Sequence, residues 1–171
     1  MEEKLIWYDY EDKRLYKFDD LSLDEYKLLI HQGYKFTWQW DILGKKASYL
    51  IKPGLKESTE HFFLVYNITE VLKEFGFLVW NYKTVKPDII VQFKNRRIAI
   101  EIETGTHLRS SIKQFKKKIE YLNDNFGKDW MIVVTNRNLL RKYKKFGPTF
   151  TRKRVFRKLG GMLEINPEFY I

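Results

Sequence analysis

Apolar and polar positions divide the chain into a short N-terminal part and a longer part in which helices and strands alternate. The pattern changes near Ser58, and no internal repeat or low-complexity linker interrupts it. We interpret residues 1–56 as an N-terminal α+β segment and residues 57–171 as the main domain. A chain of 171 residues is long enough for one compact domain with such an appendage.

The N-terminal segment carries one helix signal and two strand signals. Ser22, with Glu25 three positions later, forms a capping box, so we predict a helix that ends near Gly33. Apolar and aromatic residues at 34–42 and 47–52 predict two short strands joined by a basic turn. The segment is therefore either a fragment of a winged helix or a β-rich cap over the main sheet, and the pattern favours neither.

The main domain begins with helical periodicity and continues with strand-like runs. Apolar residues over 62–75 recur at helical spacing, and Gly76 ends the run. Three strands are predicted next, at 77–83, 85–93 and 97–103. They are followed by an amphipathic helix at 108–123, a buried strand at 131–135 and a basic helix at 137–146. The amphipathic helix would pack through Ile112, Phe115, Ile119 and Leu122. This order predicts an α/β fold with a mixed sheet flanked by helices.

Three carboxylates fall on one face of the predicted sheet. A two-residue turn at Asn95-Arg96 would place Asp88 opposite Glu103. Because strand side chains alternate, Glu101 would share that face. The opposite face would carry only apolar side chains, namely Ile89, Val91, Phe93, Ile98, Ile100 and Ile102.

The predicted acidic cluster needs a positive partner, because like charges on neighbouring strands repel and partly buried carboxylates are costly. Mg²⁺ or Mn²⁺ suits two carboxylates plus water, and such an ion can activate water for attack on a phosphoryl group. We therefore predict a metal site at Asp88, Glu101 and Glu103. The alternative is a solvated acidic face that pairs with lysines and arginines, and a one-residue change in the turn would also break the cluster.

Basic residues are concentrated near the C-terminus. The chain has 32 Lys and Arg against 22 Asp and Glu, a net charge of +10, and residues 130–163 contain ten basic residues and no acid. Such a block favours a nucleic-acid partner over a membrane, or else is a solvated helix face. The candidate nucleic-acid-binding residues are Arg137, Arg141, Lys142, Lys144, Lys145, Arg152, Lys153, Arg154, Arg157 and Lys158. Among the interleaved aromatic residues, we expect Phe150 and Phe156 to pack in the core.

Composition excludes several classes of function. The chain has no Cys, which rules out thiolate metal sites, redox pairs and a Cys nucleophile. No run approaches the roughly 20 apolar residues of a membrane span, and residues 1–4 do not resemble a signal peptide. We expect a soluble cytoplasmic protein.

Val85-Lys-Pro-Asp88 followed by Ile100-Glu-Ile-Glu103 resembles the PD-(D/E)xK nuclease superfamily. The resemblance implies a restriction-endonuclease-like fold, an endonuclease that cleaves DNA with Mg²⁺ or Mn²⁺, and Asp88 and Glu101 as metal ligands. The superfamily usually has Lys at the position of Glu103, although some of its restriction endonucleases carry Glu there. Glu103 would be a third ligand or would orient the attacking water. Lys117 on the next helix would be a displaced catalytic lysine, or else a solvated one. Members of this superfamily often pair, so a homodimer is possible.

A narrower resemblance covers residues 58–135. The run Glu101-Ile-Glu-Thr-Gly-Thr106 with Lys117 is similar to archaeal and plasmid replication-relaxation proteins, which join a winged-helix segment to a nuclease-like domain. A second interpretation, favoured by the missing Lys at position 103, is a non-catalytic DNA-binding or plasmid or viral replication accessory protein on a nuclease fold. A third is a regulator whose N-terminal segment reads DNA. We interpret Glu60 as a helix N-terminal acid, and His61 and His107 as surface or packing histidines.

Overall fold

The structure is a computed structural model that describes residues 13–55, 57–82, 86–106, 108, 111–166 and 168. In this part the chain forms five helices, a five-stranded mixed sheet and a small three-stranded antiparallel sheet, so the predicted α/β class is confirmed. The acidic start of the chain lies outside the described residues. The helices are α1 (Leu23–His31), α2 (Thr59–Glu74), α3 (Ile112–Phe126), α4 (Leu140–Tyr143) and α5 (Arg152–Leu163). The strands are β1 (Leu15–Lys17), β2 (Lys35–Trp40), β3 (Lys46–Ile51), β4 (Leu78–Asn81), β5 (Ile89–Phe93), β6 (Arg96–Glu103), β7 (Trp130–Val134) and β8 (Thr149–Thr151).

The small sheet has the strand order β1-β3-β2 and is antiparallel throughout. The helix before its hairpin, α1, starts at the predicted capping box, in which the Ser22 hydroxyl accepts a hydrogen bond from the Glu25 amide. One face of the sheet packs against α2, where Ile51 contacts Phe62 and Phe63. Whether residues 1–56 fold as a separate unit remains a prediction.

The large sheet has the strand order β4-β5-β6-β7-β8. The first three strands are antiparallel, and β7 and β8 run parallel to β6. Helices α2 and α5 cover one face, with Leu72 and Leu159 packed among the strand isoleucines. Helices α3 and α4 cover the other face through Phe115, Leu122 and Tyr143. The acids of β6 therefore lie under α3 and α4.

The pairing of β5 with β6 differs from the predicted one by two residues. Phe93 lies opposite Arg96, so the turn consists of Lys94 and Asn95, with Lys94 at a φ of 53°. The predicted turn at Asn95-Arg96, with Asp88 opposite Glu103, is wrong. Because side chains alternate with a period of two, an even shift leaves every residue on its predicted face. The apolar and acidic faces are thus as predicted.

Two helices differ from the predicted ones: the basic helix is shorter, and the core face of α3 begins later. In place of one basic helix over 137–146, a 3-10 turn (Arg137–Leu139) leads into the four-residue α4. The predicted core face of α3 is confirmed for Phe115, Ile119 and Leu122, but Ile112 lies in the first turn and is exposed. None of the helices in the described part of the chain is long and apolar enough to cross a membrane.

Candidate active site

Two carboxylates, from the start of β5 and the middle of β6, form the centre of the site. The residue pair Ile89 and Ile100 is the last in the β5–β6 register, so the neighbouring Asp88 and Glu101 come together just beyond it. The Asp88 carboxylate is fixed by a hydrogen bond from the Ile102 amide to its Oδ2, 2.7 Å long. Glu101 is buried, and its Oε2 has no hydrogen-bond partner among the described residues. Burial and the charge of Asp88 raise the pKa of Glu101 well above its usual value.

A lysine from α3 lies against this pair. The Lys118 ammonium forms an ion pair with Glu101 Oε1, and the lysine side chain is only 14% exposed. Burial alone would lower the pKa of Lys118, but Glu101 and Asp88 outweigh it and raise that pKa. The predicted Lys117 is exposed on the outer side of α3. The lysine at the acidic pair is therefore Lys118 rather than Lys117.

Glu103 lies on the same sheet face but has a different partner. The Tyr143 hydroxyl, from α4, donates a hydrogen bond of 2.7 Å to Glu103 Oε2, and both side chains are buried. Burial and the Glu103 carboxylate raise the pKa of Tyr143 far above its usual value. Tyr143 is one of the aromatic residues interleaved with the basic block, and it lies in the core, where it holds Glu103.

A histidine of α2 reaches the site from the other side of Asp88. The Ser58 hydroxyl accepts from the His61 amide and caps α2, which places His61 in the first turn. Its Nε2 lies 3.4 Å from Asp88 Oδ1, and its Nδ1 lies 3.1 Å from Glu57 Oε1. Burial would lower the pKa of His61, but the bonds to Asp88 and Glu57 raise it to about 10. His61 is therefore not an ordinary surface histidine, because as a cation it bridges two carboxylates.

Glu57 completes this chain of charges. Its Oε2 accepts hydrogen bonds from the Arg14 guanidinium at 3.0 Å and from the Gly54 amide at 3.2 Å. Burial alone would raise the pKa of Glu57, but the bonds from His61, Arg14 and Gly54 lower it to about 2. Positive and negative side chains thus alternate from the small sheet to the candidate site, in the order Arg14, Glu57, His61 and Asp88.

The donor set fits a metal ion held by two carboxylates. In the described part of the chain, no group of three or more His, Asp or Glu side chains is placed to hold a metal ion. The predicted set of Asp88, Glu101 and Glu103 shares one face, but Glu103 is turned towards Tyr143. Asp88 and Glu101 remain as candidate ligands. Glu101 contributes a buried oxygen, Oε2, that has no hydrogen-bond partner among the described residues. Mg²⁺ is commonly bound through one or two carboxylates plus water, so this pair suits it.

The remaining residues singled out near the site have structural roles or fall outside the described residues. Glu60 is exposed in the first turn of α2, where a helix dipole favours an acid. Gly105 has a φ of 90°, and a Cβ there would lie 2.9 Å from Leu139 Cδ2, so the strand-to-helix turn requires glycine. Val85 and His107 lie outside the described residues.

Half of the predicted basic residues line one open groove. It lies between α4, β8 and α5, has a volume of about 620 Å³, and is lined by Lys144, Lys153, Arg154, Arg157 and Lys158. The other exposed members of the basic set are Arg137, Arg141, Lys142 and Lys145. Phe150 packs against the core and Phe156 is buried in it, as predicted.

Arg152 is the exception among the ten basic residues. Its guanidinium donates a hydrogen bond of 2.8 Å to the Trp40 carbonyl, and burial lowers the pKa of Arg152. It therefore joins the end of β2 to the start of α5 instead of facing a nucleic acid.

Sequence reasoning missed the roles of Glu57, His61, Lys118 and Tyr143. Signals for three of these residues are present in the sequence. Glu57 and His61 are four positions apart at a helix start, where side chains interact. Lys118 stands three positions after Phe115 and four before Leu122, so it lies beside the core face of α3.

Comparison of the chain with protein-family models, with curated proteins and with solved structures found no match.

Proposed function

We propose that this protein is a metal-dependent nuclease that hydrolyses DNA phosphodiester bonds at Asp88 and Glu101. The observation that carries the proposal is the meeting of two carboxylates from neighbouring strands with a helix lysine, Lys118, in a buried site. A mixed sheet flanked by helices, with this acid pair on the neighbouring central strands β5 and β6, fits a restriction-endonuclease-like fold. It also supports the resemblance to PD-(D/E)xK nucleases, with Lys118 as the displaced lysine.

Asp88 and Glu101 would hold Mg²⁺ or Mn²⁺, which supplies a Lewis acid and an activated water when bound. Lys118 holds a fixed positive charge beside the carboxylates, where it would stabilise negative charge that develops on the phosphoryl oxygens. His61 and the Ile102 amide hold the two Asp88 oxygens in place. Glu103, oriented by Tyr143, would position the attacking water.

The groove lined by Lys144, Lys153, Arg154, Arg157 and Lys158 would bind the DNA backbone. Lysine and arginine contacts to phosphates give affinity without sequence information, and that affinity falls as salt rises. A homodimer would allow both strands of a duplex to be cut.

A second candidate is a non-catalytic DNA-binding or replication accessory protein on the same fold. The observation that favours it is that Lys118 already neutralises Glu101, while Tyr143 satisfies Glu103. These contacts would let the acidic face stand without a metal ion. The basic groove would serve this function equally well.

Cleavage of a supercoiled plasmid separates the two candidates. We expect nicking or linearisation by the wild type with Mg²⁺ or Mn²⁺, and a loss of roughly 10²- to 10³-fold or more in Asp88→Asn and Glu101→Gln. Glu120→Gln, an exposed acid on α3, is the matched control and should cut like the wild type. No cleavage by any of the four proteins, with equal salt-sensitive DNA binding, would contradict catalysis and support the accessory protein.

A further inference from the structure

Strand β2 presents a row of exposed aromatic side chains. Alternate residues of a strand share a face, and Phe36, Trp38 and Trp40 are all exposed on the outer face of the small sheet. Phe18 extends the row, with ring centroids 5.2 Å from Phe36, while Phe36 lies 6.0 Å from Trp38. We call these four residues the aromatic face.

The aromatic face lies on the side of the sheet away from α2, next to Leu50, which is buried on that side. The opposite side carries Ile51 and Tyr49, which pack against Phe62 and Phe63 of α2. Trp38 is 58% exposed, which leaves a large apolar surface in water. Contiguous exposed apolar patches commonly mark binding sites.

The charges beside the rings favour a nucleic acid as the ligand. The Lys46 ammonium lies 5.2 Å from the ring centre of Trp38 and 5.9 Å from that of Trp40. Of the four lysines in residues 35–52, Lys46 lies opposite Trp40 in the β2–β3 register and so shares the aromatic face. Flat rings with an ammonium group beside two of them match the two parts of a nucleotide, because bases stack on aromatic side chains and phosphates attract lysine.

Strand β2 ends beside elements of the candidate active site and of the basic groove. The Trp40 carbonyl accepts from Arg152, which is followed directly by the groove residues Lys153 and Arg154. Two residues after Trp40, the Ile42 amide donates a hydrogen bond of 2.8 Å to the Asn67 side chain of α2. Helix α2 also carries His61, so the end of β2 is connected both to the groove and to the helix that contributes to the candidate active site.

We propose that the aromatic face binds unpaired nucleobases, so that the preferred DNA contains a single-stranded stretch. Bases inside a duplex are stacked on each other and cannot stack on side chains, so the face distinguishes unpaired from paired DNA. The inference rests on the proposed function in that the ligand is DNA. The binding itself requires neither metal nor hydrolysis.

The test is fluorescence anisotropy with a labelled oligothymidylate and a labelled duplex of equal length, in EDTA. Loss of one stacking ring costs about 1–3 kcal/mol per base, which converts to about a 5- to 150-fold loss of affinity. We expect Trp38→Ala to lose this much on the single strand and less than about twofold on the duplex, as predicted by the same stacking argument. Trp38→Phe should retain most of the affinity. Leu28→Ala on α1 is the control, because Leu28 is also 58% exposed but has no ring.

Unchanged single-strand affinity in both Trp38→Ala and Trp40→Ala, or equal losses on single strand and duplex, would overturn the inference. So would a wild-type dimer that Trp38→Ala converts to a monomer without a change in single-strand affinity, because the face would then join two copies of the chain. Because catalysis plays no part in this assay, a plasmid that stays uncut leaves its result interpretable, and the two proposals can fail separately.

Discussion

Strand β6 carries two buried faces of opposite chemistry. Ile98, Ile100 and Ile102 face α2 and α5, whereas Glu101 and Glu103 face α3 and α4. Burial of each isoleucine stabilises the fold by roughly 1.5–3 kcal/mol. Burial of each carboxylate instead costs several kcal/mol, which partners must offset. The apolar face accounts for stability, whereas we propose that the acidic face serves function.

The largest effect is expected from removal of the cation on the acidic face. Lys118→Met would leave Glu101 buried with its charge uncompensated, so we expect a loss of roughly 3–5 kcal/mol in the free energy of unfolding. A second change, Glu101→Leu, removes that charge and should restore most of the loss. Urea unfolding of the three proteins at neutral pH measures both effects.

Ile100→Ala is the control on the apolar face, with an expected loss of roughly 2–5 kcal/mol. Mg²⁺ should reduce the loss in Lys118→Met, since a ligand that binds only the folded state stabilises it. It should not reduce the loss in Ile100→Ala relative to the wild type. A Lys118→Met protein as stable as the wild type would show that the acidic face does not depend on this cation.

A smaller effect concerns the charge chain that reaches the acidic face from α2. The pKa of Glu57 is lowered from 4.5 to about 2, so its contribution to stability is complete above pH 4.5 and is lost as the pH falls through 2. We expect Glu57→Gln to be less stable than the wild type by roughly 1 kcal/mol at pH 6, after allowance for solvent screening. Unfolding curves between pH 6 and 2 should converge, and a constant difference across that range would contradict the assignment.

The two faces could be predicted from the sequence, but the partners of the acidic face could not. Periodicity of two assigned every residue of β5 and β6 to its face, even though the turn was placed one residue late. That placement assumed that Asn95 would take the left-handed backbone, whereas Lys94 does so. The faces were predictable because burial of the isoleucines determines which alternate residues of a strand face the core. It does not determine the position of the turn.

Side-chain partners depend on packing between elements that are distant in sequence. Tyr143 reaches Glu103 across 40 positions, and no local pattern indicates that contact. Lys117 and Lys118 differ by one step on α3, which turns the side chain by about 100°. Only the core residues on either side of Lys118 distinguish the two lysines, and their spacing was the available signal.

Mn²⁺ binding measured by titration calorimetry tests most directly the claim that the acidic face exists for function. We expect the wild type to bind Mn²⁺ at Asp88 and Glu101, and Glu101→Gln to lose at least about tenfold in affinity. Glu120→Gln should bind like the wild type. Equal Mn²⁺ binding by all three proteins, or none by the wild type, would contradict the account and leave the two carboxylates as buried charges held by Lys118 and His61 alone.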